Sequence, residues 1–358
     1  MVTTLRLQNF RSYTDDSFEF DPAVNIVVGP NASGKTNLLE AILMLSSGSS
    51  YRARDQELIS HKAPWARLEG FYGADTRVLK LTRSNQTVEK SFLLGDKPFK
   101  RLSLERTVPV VFFEPNHLQM ITRGPQHRRE YIDSLLERSL PGYKALVGNY
   151  RRMLAQRNAL LKRGRSFGES QLFAWNVRLS EQGAKIAQAR QVLIDKINKN
   201  ISKTYSEIAQ HKSAVTIQYE VQFPVGSYAS QMLSRLEKNS SLDYERGFTA
   251  YGPHREDITF ILNHQPANQT ASRGETRSLL LAIKIFELGL ISKARGQKPI
   301  LLLDDVFSEL DGARRHALVD YLSNYQTIIT TTDADAVVEY FSSGTHNLIP
   351  TTTASKLR

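Results

Sequence analysis

The chain has no cysteine among its 358 residues. That excludes disulfides, thiol catalysis and cysteine-bound zinc, and it is compatible with a reducing compartment. Long apolar runs are missing too. The longest mostly apolar stretch, Leu279–Ile291, is too short to span a bilayer and carries Lys284 and Glu287. The opening residues, MVTTLRLQNF, hold one basic side chain and no apolar h-region, so no signal peptide is read there. A soluble, cytoplasmic protein with no membrane partner is expected. The eight histidines are scattered without metal-ligand spacing, and no G-x-S-x-G elbow occurs, so zinc and serine-hydrolase chemistry have no support. Acidic residues are in deficit, 36 Asp and Glu against 47 Lys and Arg, for a formal charge of +11. A polyanionic partner, nucleic acid above all, suits that balance, although a solvated basic surface has the same composition.

What is present is an ordinary globular balance, 41% hydrophobic and 23% charged. The length suggests roughly two domains and a sizeable core, which rules out a disordered chain or a fibre. The first third reads as strands: residues 3–10, 17–21, 24–28, 65–72, 77–82, 87–94 and 108–113, with Gly95-Asp96 as a turn leading to Phe99. From Arg128 to about Gln210 the pattern is helical, broken near Pro141-Gly142 and between Gly164 and Gly168. Leu172, Leu179, Ile186 and Leu193 recur every seven residues. They predict a helix of about 40 residues packed antiparallel on its predecessor. The last third returns to alternating elements: strands at 215–221, 257–262, 300–306 and 327–331, and helices at 273–294 and 312–323. A helical block therefore interrupts an α/β domain whose halves lie at the two ends of the chain.

Residues 29–36 read Gly-Pro-Asn-Ala-Ser-Gly-Lys-Thr, the phosphate-loop pattern, between an apolar strand and a helical run. Gly29 and Gly34 let the backbone wrap a phosphate, with Asn31 and Ser33 in the same loop and the helix N-terminus adding its positive end. Lys35 would reach the β and γ phosphates of ATP, and Thr36 would offer its hydroxyl to Mg²⁺. The second half of such a site is an acid at the end of a buried strand. Ile300–Leu303 followed by Asp304-Asp305 supplies it. Asp304 is assigned to Mg²⁺, directly or through water, and Asp305 to the attacking water. Ala271-Ser272-Arg273-Gly274-Glu275 reads locally as a capping box, and equally as an anion site at a helix start. Its position some residues before the Asp304 strand suits a signature segment in which Ser272 and Gly274 approach the γ-phosphate from a second subunit.

Between Arg138 and Phe167 lie Arg138, Lys144, Arg151, Arg152, Arg157, Lys162, Arg163 and Arg165, with no acid among them. A row of DNA phosphates would suit them, above all Arg151, Arg152, Arg157, Lys162, Arg163 and Arg165, without sequence specificity. A solvated helix face is the alternative. His254 and Arg255, beside Gly252-Pro253, read either as a structural turn or as a contact to nucleotide or DNA.

With these residues in hand, the sequence resembles the ABC-type ATPases of DNA maintenance, and within them the RecF family. Residues 9–13, Asn-Phe-Arg-Ser-Tyr, look like the start of RecF, Rad50 and SMC heads, which implies that Arg11 lies near bound nucleotide. Residues 304–311, Asp-Asp-Val-Phe-Ser-Glu-Leu-Asp, look like the RecF form of Walker B and the D-loop ending at Asp311. Two further blocks, 114–133 and 251–257, resemble RecF-specific segments. The resemblance implies an ABC-type head with an inserted mainly helical lobe, divided as residues 1–116, 117–248 and 249–358. It also implies a weak DNA-stimulated ATPase that dimerises head to head around two ATP molecules. Partners would be DNA, double-stranded or at single/double-strand junctions, and the RecR, RecO and RecA proteins of gap repair. Asp305 stands where most ABC ATPases have glutamate, which goes with slow turnover. A Rad50- or SMC-like clamp is the alternative, and it would need longer helical arms than this block of about 80 residues gives.

Overall fold

In the computed structural model, residues 1–73, 75–84, 87–164, 169–341 and 346–351 are described. They form two compact units. One comprises residues 1–117 and 287–358, the other 118–286.

The first unit begins with β1 (Val2–Phe10) and β2 (Tyr13–Glu19), a hairpin. The apolar strand β3 (Val24–Val28) runs into the phosphate loop and α1 (Lys35–Ser47), and the single turn α2 (Asp55–Leu58) follows. Strands β4 (Trp65–Tyr72), β5 (Asp75–Ser84), β6 (Thr87–Leu94) and β7 (Lys97–Phe99) continue an antiparallel sheet ordered β2-β1-β4-β5-β6-β7. Then comes β8 (Val110–Phe113), buried along its whole length. Helix α1 buries Leu38, Leu39, Glu40, Ala41, Ile42, Met44, Leu45 and Ser46, residues on every side of it. A helix apolar all round belongs inside a core. Its side chains share one cluster with residues of β1, β4, β5, β8 and the later strands of this unit.

The second unit opens with the single turn α3 (Gln119–Thr122) and α4 (Pro125–Ser139), whose Pro125 sits at the tolerated first position. Helices α5 (Tyr143–Arg163) and α6 (Glu169–Asn198) pack antiparallel: Arg157 meets Asn176, while Tyr143 and Arg190 meet at Asp133. The long helix stops earlier than the leucine repeat predicts. Asn198 exchanges two hydrogen bonds with the backbone of Ile217, both at 2.8 Å, and α7 (Ile201–Ala209) starts afresh. Strand β9 (Val215–Glu220) is followed by α8 (Tyr228–Lys238) and α9 (Ser240–Arg246), in a stretch where the sequence reading assigned no element. Strand β10 (Asp257–Leu262) pairs with β9 from Asp257↔Glu220 to Leu262↔Val215, and the short β11 (Gln265–Pro266) borders it. The turn α10 (Ala267–Thr270) leads into α11 (Arg273–Arg295). This pairing corrects the expected domain limits: residues 249–286 belong with the helical unit, and the division falls inside α11.

The chain returns to the first unit with β12 (Ile300–Asp304), α12 (Gly312–Leu322), β13 (Thr327–Thr331), the turn α13 (Asp335–Val338) and β14 (His346–Pro350). Five strands form a parallel sheet in the order β14-β3-β13-β12-β8. Strands β3, β12 and β13 are near-continuous apolar runs, as burial on both faces demands. Their carboxyl ends line up at the phosphate loop, where open α/β sheets bind ligands. Among the described residues no helix is long and apolar enough to cross a membrane.

Candidate nucleotide site

The loop between β3 and α1 is shaped by two glycines with different reasons. Gly34 has φ +101°, and a Cβ there would lie 2.9 Å from the Tyr13 hydroxyl. At Gly29 a Cβ would lie 2.3 Å from Thr351 Oγ1 and 2.4 Å from Thr351 O. At Gly29 a backbone atom bars the Cβ, and at Gly34 the positive φ strains any other residue, so both positions call for glycine. Tyr13 Oη donates to Gly34 O at 3.1 Å, which sets the β1–β2 turn against the loop. On the other side, Thr351 N donates to Val28 O at 2.7 Å and Thr351 Oγ1 lies 2.7 Å from Ser33 Oγ. Asn31, by contrast, is exposed at the tip.

Lys35 is the first residue of α1 and only 8% exposed. Its ammonium donates to Gly29 O at 2.7 Å and Pro30 O at 2.9 Å. Burial lowers its pKa from the ordinary lysine value, and the charges of Asp305 and Asp304 oppose that shift. Thr36 Oγ1 donates to Asp304 Oδ1 at 3.0 Å. The same carboxylate oxygen accepts from Thr330 Oγ1 at 2.7 Å, and Thr330 Oγ1 in turn accepts from Asp305 N at 3.0 Å. One threonine of β13 thus ties both acids together. Asp305 has φ +52°, a conformation that costs a non-glycine residue energy, and its Oδ1 is buried without a hydrogen bond among the described residues. Such an oxygen calls for a donor that a nucleotide complex would bring.

These residues fit a Mg²⁺–ATP site. The loop offers backbone amides, Lys35 a cation, and Thr36 and Asp304 a hydroxyl and a carboxylate of the kind Mg²⁺ takes. Among the described residues no set of three His, Asp or Glu side chains is placed to hold a metal, so the ion would depend on phosphate oxygens as well.

Two other expected site residues of this unit, Arg11 and Asp311, make their bonds elsewhere. Arg11, at φ +54°, spends its guanidinium on Glu40 (2.9 and 3.1 Å) and on Glu57 O (3.1 Å). Arg52 and Ser50 also donate to Glu40. Burial pushes the Glu40 carboxyl up, but these hydrogen bonds outweigh it and hold the pKa below the usual value. Arg11 therefore braces α1 behind the loop. Asp311 caps α12, accepting from Arg314 N at 3.0 Å, and its side chain is exposed. In the second unit, Ser272 and Glu275 realise the capping box at the start of α11. Ser272 N donates to Glu275 Oε2 at 2.8 Å and Glu275 N to Ser272 Oγ at 3.3 Å, while Ser272 stays exposed and Gly274 half-buried.

The row of cations on α5 is only partly a surface. Arg151, Arg152, Lys162 and Arg163 are exposed. Arg157 is a correction: its side chain is fully buried, bonded to Asp243 at 2.8 Å, Asn176 at 2.7 Å and Thr249 at 2.8 Å. It cannot reach a phosphate. Arg165 lies outside the described residues. His254 is structural, with Nε2–H directed at Thr249 O (3.1 Å) and Nδ1 accepting from Tyr150 Oη (2.7 Å). Arg255 stacks on Phe248 with its guanidinium 4.7 Å from the ring centre. Sequence reasoning missed Thr330, Thr351, Glu40 and Tyr13. The paired threonines ending β13 were a visible signal for Thr330, and Tyr13 and Glu40 lie in or beside quoted motifs without a pattern that gives their role; only Thr351 lies far from the loop it serves.

The family of the RecF/RecN/SMC N-terminal domain matches residues 1–346. The DNA replication and repair protein RecF of Desulfitobacterium hafniense is 35% identical over 346 residues, 94% of this chain and 95% of that protein. RecF of Acaryochloris marina is 34% identical over 349 residues, covering 93% and 92%. Among solved structures, the recombination mediator RecF-ATPrS of the RecFOR pathway superposes with a TM-score of 0.83 at 30% identity over 94% of each chain. An Smc head bound to the C-terminal winged helix domain of ScpA shares the fold, with a TM-score of 0.53 at 15% identity.

Proposed function

This chain belongs to the RecF family, and from that premise we propose that it is an ATP-driven DNA-binding switch of replication and repair, acting as a recombination mediator. The observation that carries the reading is the cluster of Thr36, Asp304, Thr330 and Asp305 beside the Lys35 loop. Bound Mg²⁺–ATP would supply the γ-phosphoryl group and the cation that offsets its charge. Lys35 and the loop amides would hold the phosphates, and Thr36 and Asp304 would hold the ion. The free Oδ1 of Asp305 orients the attacking water and takes its proton. An aspartate reaches less far than a glutamate, so hydrolysis is slow and serves as a reset.

Half of the site comes from a second copy of this chain. Ser272 and Gly274 at the α11 N-terminus present amides and a hydroxyl suited to a γ-phosphate. Closure of two heads then binds duplex or junction DNA along the exposed cations of α5, and hydrolysis releases it. RecO, RecR and RecA are the partners in loading single-stranded gaps. Rad50-like arms are disfavoured, because the antiparallel pair is made of helices of 21 and 30 residues.

The experiment is binding of labelled gapped duplex at near-physiological salt with ATP, ADP or no nucleotide, beside Lys35→Met and Ser272→Arg, with mass read by light scattering. Tight binding and a doubled mass only with ATP, lost in both variants, is expected. Equal binding in every nucleotide state, or no mass increase with ATP in Asp305→Asn, sinks the switch.

A further inference from the structure

The two sequence blocks at 114–133 and 251–257 take no part in the nucleotide site. They meet in the second unit. Arg128 clasps Asp257 with bonds of 2.9 and 2.7 Å, and Arg129 Nη1 donates to Glu256 O at 2.6 Å. Beside this junction, residues of α4, α5, α6 and the 253–254 turn enclose a cavity of about 330 Å³. That is roomy against the ~30 Å³ share of one liquid water.

The floor is neutral and fully bonded. Arg190 holds Asp133 through two bonds of 2.9 Å and also donates to Pro253 O, Tyr143 adds a bond to Asp133, and the Tyr150–His254 pair completes it. The walls are not neutral. Besides the paired Arg190 and Asp133 the lining holds Arg129 and Arg151 against Glu130, two cations to one acid, which leaves one positive charge over. Arg129 is half-buried and makes no ion pair among the described residues; its one bond is to a backbone carbonyl. Burial lowers its pKa, with the nearby Arg190 charge adding to that and the charges of Asp257 and Asp133 opposing it, so an anion beside it would be stabilising. Arg151 is exposed and has no hydrogen bond or ion pair among the described residues. Glu130 is exposed and accepts from Gln126 at 2.8 Å. The carboxylates nearest Arg129, Asp257 and Asp133, are each bonded to another arginine, Arg128 and Arg190, so its half-buried guanidinium lacks an ion-pair partner of its own among the described residues.

We propose that this cavity is an oxyanion site that holds a phosphate group between Arg129 and Arg151, through the planar donor fork that suits a tetrahedral oxyanion. The inference stands on the cavity itself and does not depend on the DNA reading, although a nucleic-acid backbone is one source of such a phosphate.

The test uses the full chain with its nucleotide site filled by a non-hydrolysable ATP analogue and Mg²⁺, so that the phosphate loop does not compete. Tungstate, a heavy tetrahedral oxyanion, is soaked into crystals and located by anomalous scattering, while inorganic phosphate is titrated by calorimetry. A tungstate peak in the cavity within hydrogen-bond reach of both arginines is expected. Phosphate affinity should fall at least tenfold in Arg129→Gln and in Arg151→Gln. The second variant alters an exposed, unbonded side chain and folds even if the first does not. An empty cavity at saturating tungstate, or unchanged phosphate affinity in Arg151→Gln, overturns the proposal. A short DNA duplex added to the tungstate-loaded protein identifies the source: displacement marks a backbone phosphate, retention a free one. If no duplex binds while tungstate does, the DNA reading fails and the site stands.

Discussion

Replacing Thr330 by valine removes one hydroxyl and almost no volume. Thr330 is fully buried, so the substitution leaves no cavity and its effect is polar. Three bonds go: the 2.7 Å donation to Asp304 Oδ1, a long 3.4 Å one to Leu303 O that shares the same hydrogen, and the 3.0 Å acceptance from Asp305 N. Asp304 keeps Thr36, and Asp305 N keeps a 3.2 Å bond to Thr330 O. Hydrogen bonds to charged groups are worth about 1.5–3 kcal/mol, and the retained partners place the loss near the low end. If that energy holds the acids in working geometry, about 1.5 kcal/mol lowers kcat roughly tenfold. Binding of ATP should change little, because Lys35 and the loop are untouched. The assay is steady-state ATP turnover beside calorimetric ATP affinity, with Thr330→Ser as the conservative control that keeps the hydroxyl. Full turnover in Thr330→Val would refute the argument, as would a loss in the serine variant equal to that in valine.

Three further perturbations follow. Arg157→Met leaves Asp243 buried without its ion-pair partner and should cost about 3–5 kcal/mol, seen as a lower urea midpoint. Thr351→Ala removes the side chain beside Ser33, so ATP affinity should drop severalfold, whereas Thr351→Ser should bind as the parent does; equal affinities in all three would show that β14 merely ends there. His254 has its pKa lowered to about 4 by burial, from an ordinary 6.5, so between those values the unfolded chain binds the proton that the folded chain refuses. Stability is therefore complete above pH 6.5 and lost as pH falls toward 4, by up to about 3 kcal/mol. His254→Gln should flatten that part of the profile of melting temperature against pH, and an unchanged slope would count against the assignment.

Much of the first unit was legible because its signals are local. A buried parallel strand is a run of apolar residues, and β3 and β13 fall where such runs begin and end. The phosphate loop and the Asp304-Asp305 pair are short motifs with fixed mechanics, and the structure brings them within hydrogen-bond reach across 268 residues of sequence. What was hidden depends on distant pairing. Strand β14 is five residues with a proline, and nothing in it announces that it will lie along β3 and deliver Thr351 to Gly29. The end of α6 was hidden for the same reason: the bonds that stop it come from Ile217 on another element.

The basic stretch shows where counting fails. Composition treats every arginine as a surface charge, yet in the second unit Arg128, Arg157 and Arg190 are buried and each is neutralised by an aspartate, Asp257, Asp243 and Asp133. An arginine on a helix face and an arginine in a helix seam have the same neighbours in sequence. They differ only in what the other helices bring, and Asp243 lies 86 residues from Arg157. Three of the positive charges behind the +11 thus fix the shape of the helical unit instead of meeting a polyanion. The salt dependence of DNA binding separates the two classes. Each exposed cation that contacts a phosphate contributes about 0.9 to the slope of log K against log salt. Arg151→Gln or Lys162→Gln should therefore each lower the slope by about one, at most, with the melting temperature unchanged. Loss at Arg157 should instead appear as unfolding, with the slope of the surviving folded fraction intact.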